Sequence, residues 1–193
     1  MDDDNNNNTT LNSHSLALRV QKNIASKMSS KSFAKVFIDE TTGRLLDNLY
    51  KLAKEQSKSK KEAEKLLKNI IKIIIKIGIL YKNDQFNDQE MKICDDFRSK
   101  FHFLTKSALS FYEVDYTFDK HYLSDSLKKC KEMTHAIIKR HLTDKSKERV
   151  DHVYDFFSDQ KFLEDIYRSN GPYRQILGLI VDDARRLLDD GFL

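Results

Sequence analysis

Between Ser15 and Met28 the apolar residues Leu16, Val20, Ile24 and Met28 recur every fourth position, with Arg19, Lys22 and Ser26 on the other side. That period marks one apolar helical face and predicts a short, basic amphipathic helix over 15–29. The residues before it, beginning MDDDNNNNTTLN, are polar and repetitive and offer no face to bury, so 1–14 reads as a disordered tail. From residue 30 to residue 193 helical periods follow one another as a single bundle domain. The predicted helices run over about 32–56, with Phe33, Val36, Phe37, Leu45, Leu49 and Leu52 inward, and then over about 60–82, 88–111 and 119–141. A further helix starts behind a cap at Thr143, and a short one behind Ser158 ends at Ser169-Asn170-Gly171. The last follows Pro172, a residue suited to a first helical turn, and carries Ile176, Leu177, Ile180, Val181, Leu187 and Leu188.

The segment 60–82 stands apart. Lys61, Lys65, Lys68, Lys72 and Lys76 form one narrow stripe, while Ile70, Ile71, Ile73, Ile74, Ile75, Ile77 and Ile79 cover nearly all the remaining surface. One neighbouring helix rarely needs so much apolar surface, which predicts a central position. Composition points the same way. In 193 residues there are 5 Gly, 1 Pro and no Trp, too little punctuation for a sandwich or an α/β sheet. The fold class is therefore all-α, with about six to seven helices plus the N-terminal one.

Chemistry is narrowed by the same inventory. The glycines at 43, 78, 171, 178 and 191 are too far apart for a dinucleotide loop, a phosphate loop or a nucleophile elbow. Cys94 and Cys130 stand alone on apolar faces, where an inert thiol is the ordinary outcome, and with no apolar leader at the start an intracellular location is expected. No two histidines have the helical spacing of metal ligands. The carboxylate pairs Asp39-Glu40, Asp95-Asp96, Asp182-Asp183 and Asp189-Asp190 are chain neighbours that diverge by ~100° on a helix, so they read as solvated surface. Neither catalysis nor a metal is expected. The apolar run Leu66 to Leu80 is interrupted by lysines and falls short of the ~20 residues of a membrane span.

Charge is the remaining signal. The chain totals only +4, and its aromatics do not interleave with its cations, so nucleic acid is not an expected partner. Residues 58–82, however, hold eight lysines against Glu62 and Glu64, a local charge of +6. That stripe is either a solvated face or a surface attracted to an anionic leaflet. The helix over 15–29 allows a matching choice, between a lid docked on the bundle and a gate lying among lipid headgroups.

Several stretches resemble the tumour necrosis factor-α-induced protein 8-like (TIPE) family: SLALRVQKNIASKM, FIDETTGRLLDNLYKLAKE, NIIKIIIKIGILYKNDQF, SFYEVDYTFD, RHLTDKSKERVDHVYDFFSD and the C-terminal LLDDGFL. The resemblance implies a helical bundle around a central apolar cavity for lipid tails, and a non-enzymatic role in phosphoinositide binding and transfer. It also implies a cytoplasmic protein recruited to the plasma membrane in signalling, survival or migration. No cofactor is implied beyond a bound phospholipid. By motif position the headgroup cations are Lys22 in VQKN, Lys82 in LYKN and Arg98 in FRSK. Asn23 stands where the family tends to carry a second lysine, and Lys82 where arginine is common, which exchanges a bidentate fork for a point charge. Candidate cavity-lining residues are Phe33, Phe37, Ile71, Ile74, Ile75, Phe97 and Phe101, although the same side chains would also fill a solid core. The alternative function is a helical adaptor binding small GTPases or cell-death signalling proteins.

Overall fold

Helix starts in this chain are set by polar side chains that accept the first free amides. In the computed structural model, which describes residues 15–16 and 39–191, Asp39 caps α1 (Glu40–Ser57) by accepting from the Thr42 amide. Ser59 does the same for α2 (Lys60–Lys82) at the Glu62 amide. A reciprocal capping box between Asn87 and Glu90 opens α3 (Asp88–Glu113). A single 3₁₀ turn, Asp115–Thr117, leads to Asp119, the cap of α4 (Lys120–Ile138). Thr143 precedes α5 (Asp144–Ser158) but makes no side-chain cap bond there. The expected cap at Ser158 is displaced by one residue, because the Asp159 carboxylate takes the Phe162 amide and starts α6 (Gln160–Tyr167). The last helix, α7, covers Arg174–Asp189.

The long helices alternate in direction, and their main contacts close into a circuit: α1 on α2, α2 on α5, α5 on α4, α4 on α3, α3 on α7 and α7 back on α1. Cross-helix bonds fix the register. Asn69 and Glu62 of α2 meet His152 of α5, while further along Lys76 reaches Ser146. Glu90 near the start of α3 meets Arg140 just past the end of α4. Arg44 and Asn48 of α1 both donate to Asp183 of α7, at 3.2 and 3.0 Å. Short α6 touches α4, α5 and α7 and sits at one end of the ring. The opposite end carries the start of α1, the end of α2, the start of α3 and the end of α7.

Burial falls into three clusters of buried side chains, the second of which spans α1, α3, α4, α6 and α7. The first joins α1 and α2 through Leu46, Tyr50, Ala53, Ala63, Leu66, Leu67, Ile71, Ile75 and Ile79. The second gathers around α6, and the third holds Phe86, Ile137, Ile138 and Val150. Half-buried Phe97, Tyr154, Phe156 and Phe157 each belong to two clusters and link them. Leu16 is 6 % exposed and lies in the α1–α2 cluster, so that residue is docked on the bundle. The rest of the predicted 15–29 helix lies outside the described residues. Among the described residues no helix is long and apolar enough to cross a membrane.

Candidate functional site

At about 100° per residue, the α2 lysines 61, 65, 68 and 72 share one direction, and Ala63, Leu67, Ile70, Ile74, half-buried Ile77 and Tyr81 point the opposite way. The two sides between these faces are occupied. Toward α1, Ile71, Ile75 and Ile79 are buried with Leu46 and Tyr50. Toward α5, Asn69 and Lys76 bond His152 and Ser146, and Ile73 packs with Val150. The face opposite the lysines changes along its length. Ala63 and Leu67 are 1 % exposed, Ile70 is half-buried, Ile74 is 39 % exposed and Tyr81 is 55 % exposed. This apolar row is closed at the α6 end and opens toward the end of α2.

The closed end is built from aromatic rings. Phe156, Phe157 and Phe162 contact one another with centroids 5.0–5.9 Å apart, and Phe118 stacks on Tyr167 at 4.7 Å. Nearby, the Arg174 guanidinium lies 3.9 Å over the Tyr112 ring and donates to the Tyr112 carbonyl at 2.6 Å, with Asp115 as its ion-pair partner. Gly178 faces the same tyrosine. A Cβ there would stand 2.7 Å from the Tyr112 hydroxyl, so the close approach of α7 to α3 requires the glycine.

Two of the predicted headgroup cations fall among the described residues, on different helices. Lys82 ends α2 and is exposed. Arg98, on α3, reaches the Gly191 carbonyl beyond the end of α7 at 3.4 Å and borders a depression of about 330 Å³ with Ser99, His102, Phe103 and Leu188. Phe97 and Phe101, on the same stretch of α3, are half-buried and stack with centroids 5.6 Å apart. Of the predicted lining residues, Ile74 lies on the opening row, whereas Ile71 and Ile75 are buried in the α1 seam. Lys22, Phe33 and Phe37 lie outside the described residues.

Sequence reasoning missed the polar ties between helices. Glu90 is 8 % exposed and accepts from Arg140 at 3.1 and 2.8 Å, from the Asn87 amide, and bonds His141 at 3.1 Å. The Arg140 bonds outweigh desolvation and hold its carboxyl at about 2. Asp183, expected on the surface with Asp182, is 5 % exposed; burial is tolerated because Arg44 and Asn48 satisfy both its oxygens. Chain-neighbour pairing could not distinguish these carboxylates from solvated ones, since their partners are 50 to 139 residues away. Burial raises the Cys94 thiol and pushes Cys130 up to about 11, so both stay protonated near neutral pH. Among the described residues no group of three His, Cys, Asp or Glu side chains is placed to hold a metal ion.

Comparison with known proteins covers nearly the whole length of the chain. The family model described as tumor necrosis factor alpha-induced protein 8-like matches residues 11–191. Tumor necrosis factor alpha-induced protein 8 of Gallus gallus is 49 % identical over 93 % of this chain and 96 % of its own. The Homo sapiens protein of the same name is 46 % identical, covering 93 % and 90 %, and Protein salivary glands marred of Drosophila melanogaster is 46 % identical, covering 93 % and 95 %.

Proposed function

The chain belongs to the tumor necrosis factor alpha-induced protein 8-like family, and from that premise we propose that it is a non-catalytic lipid carrier. It holds phospholipid acyl chains between its helices, with the phosphorylated headgroup at Lys82, Arg98 and Lys22. The single observation that carries the reading is the α2 row from Ala63 to Tyr81, whose exposure rises from 1 % to 55 % on the face opposite the lysines. Six helices at the usual 8–10 Å spacing leave a central space about as wide as one more helix. Short α6 lies at one end, against α4, α5 and α7, and the second buried cluster gathers around it. Half-buried Phe97, Phe156 and Phe157 supply apolar surface shared between those clusters. Acyl chains need such a surface, because each methylene taken from a bilayer forfeits ~0.8 kcal/mol.

Cations at the open end then favour an anionic headgroup, phosphoinositides among them. A peripheral encounter with the cytoplasmic leaflet of the plasma membrane delivers and collects the lipid. The test uses a short-chain fluorescent phosphoinositide. Ile74→Trp, which fills the row, should reduce uptake at least tenfold while helical circular dichroism is unchanged. Lys82→Ala and Arg98→Ala should each weaken uptake of the phosphoinositide more than of a neutral phospholipid. Equal uptake by Ile74→Trp and the natural chain would leave the adaptor reading, in which the outer faces bind small GTPases or cell-death signalling proteins, as the better one.

A further inference from the structure

Positive charge is concentrated at one corner of the molecule. Residues 51–72, the end of α1 and the first half of α2, contain eight lysines and three glutamates and no arginine or aspartate. Their net charge of +5 exceeds the +4 of the whole chain, so everything else sums to −1. Lys61, Lys65, Lys68 and Lys72 surround a shallow depression of about 560 Å³ together with Ser59, Glu62, Glu64 and Asn69. The glutamates engage this row weakly: Lys65 is 3.8 Å from Glu62, Lys68 is 3.3 Å from Glu64 and Lys58 is 3.6 Å from Glu55. Exposed pairs at such distances are worth little. Glu62 is further engaged by His152 at 2.5 Å, on its other oxygen.

We propose that this lysine corner is the surface by which the protein docks on an anionic phospholipid bilayer, laying α2 along the membrane. This rests on the lipid-carrier reading but adds the contact face and the orientation. The chemistry of the row selects the partner. Lysine ammoniums are compact point charges on flexible stems, without the planar fork by which arginine grips one phosphate or carboxylate in two bonds. A row of lysines with no arginine therefore suits a diffuse sheet of charge better than a single acidic motif on a protein. Each cation near such a leaflet contributes ~1 kcal/mol, within a Debye length of about 10 Å at 0.1 M salt. The row runs toward Lys82, about 30 Å from Lys61 at the helical rise of α2, so docking lays the length of α2 on the bilayer while the apolar row on its opposite face turns to the bundle interior.

The experiment is co-sedimentation of the full chain with phosphatidylcholine vesicles with and without phosphatidylserine, with no phosphoinositide present. The natural chain should bind the phosphatidylserine vesicles and be released by 0.5–1 M salt, where the screening length falls toward ~3 Å. The combined variant Lys61→Gln, Lys65→Gln, Lys68→Gln and Lys72→Gln should bind at least tenfold more weakly. Lys129→Gln, an exposed lysine on α4 outside this corner, should bind as the natural chain does. Native mass spectrometry of lipid retained by the quadruple variant separates the two proposals, since docking is expected to fail there with retention intact. Undiminished binding by a folded quadruple variant, or no binding by the natural chain at low salt, would overturn the docking surface and assign the corner to an acidic protein instead.

Discussion

Glu90 is the residue on which the junction of α3 and α4 turns, because it serves the capping box and the cross-helix tie at once. Glu90→Gln keeps the shape and removes the charge from bonds to Arg140 and His141. We expect a loss of about 1.5–3 kcal/mol in chemical denaturation, the range for hydrogen bonds to charged groups. The pH dependence has a definite sign. The folded carboxyl sits at about 2, below its ordinary value of 4.5, so its stabilisation is complete above pH 4.5 and is lost as the pH falls toward 2. The carboxyl of Glu62, lowered mainly by its bond to His152, adds to the same acid loss. Unfolding midpoints between pH 5 and pH 2 should therefore fall less steeply in Glu90→Gln than in the natural chain. At the other end, Gly178→Ala forces a methyl against the hydroxyl of Tyr112, whose ring Arg174 covers. A cost of about 1–3 kcal/mol is expected from this overpacking, visible as a lowered Tm.

At the scale of elements, α2 was the most legible from sequence, since a lysine stripe and an isoleucine-covered remainder are both periodic signals that one strand of text contains. Its bounds, 60–82, and the Ser59 cap stand as expected. The two caps that differ, Thr143 and Ser158, depend on side-chain rotamers and on which of two adjacent polar residues takes the amide. Local spacing does not specify that choice. What sequence could not divide was the isoleucines themselves: Ile71, Ile74 and Ile75 are equally apolar, and only the positions of α1 and α5 send two to a seam and one to the open row. The amino-terminal segment is tested through its one described apolar residue. Leu16→Ala should lower stability by about 2 kcal/mol or more if its burial in the α1–α2 cluster is a structural dock. An unchanged midpoint would favour a gate that spends its time elsewhere.

For the molecule as a whole, alternating helices joined in a circuit explain why burial is split into three clusters and why large aromatics remain half-buried between them. Such a ring is stable only if its centre is filled by side chains or by a ligand, because an apolar void forfeits dispersion contacts on every wall. On the proposed lipid-carrier reading, that ligand is a phospholipid whose acyl chains lie along the apolar row. The most direct test is native mass spectrometry of the purified full chain after incubation with mixed phospholipid vesicles and removal of the vesicles. The account predicts a species heavier than the bare chain by one phospholipid, lost in Ile74→Trp. A bare chain mass under conditions that preserve the fold, before and after incubation, would contradict it.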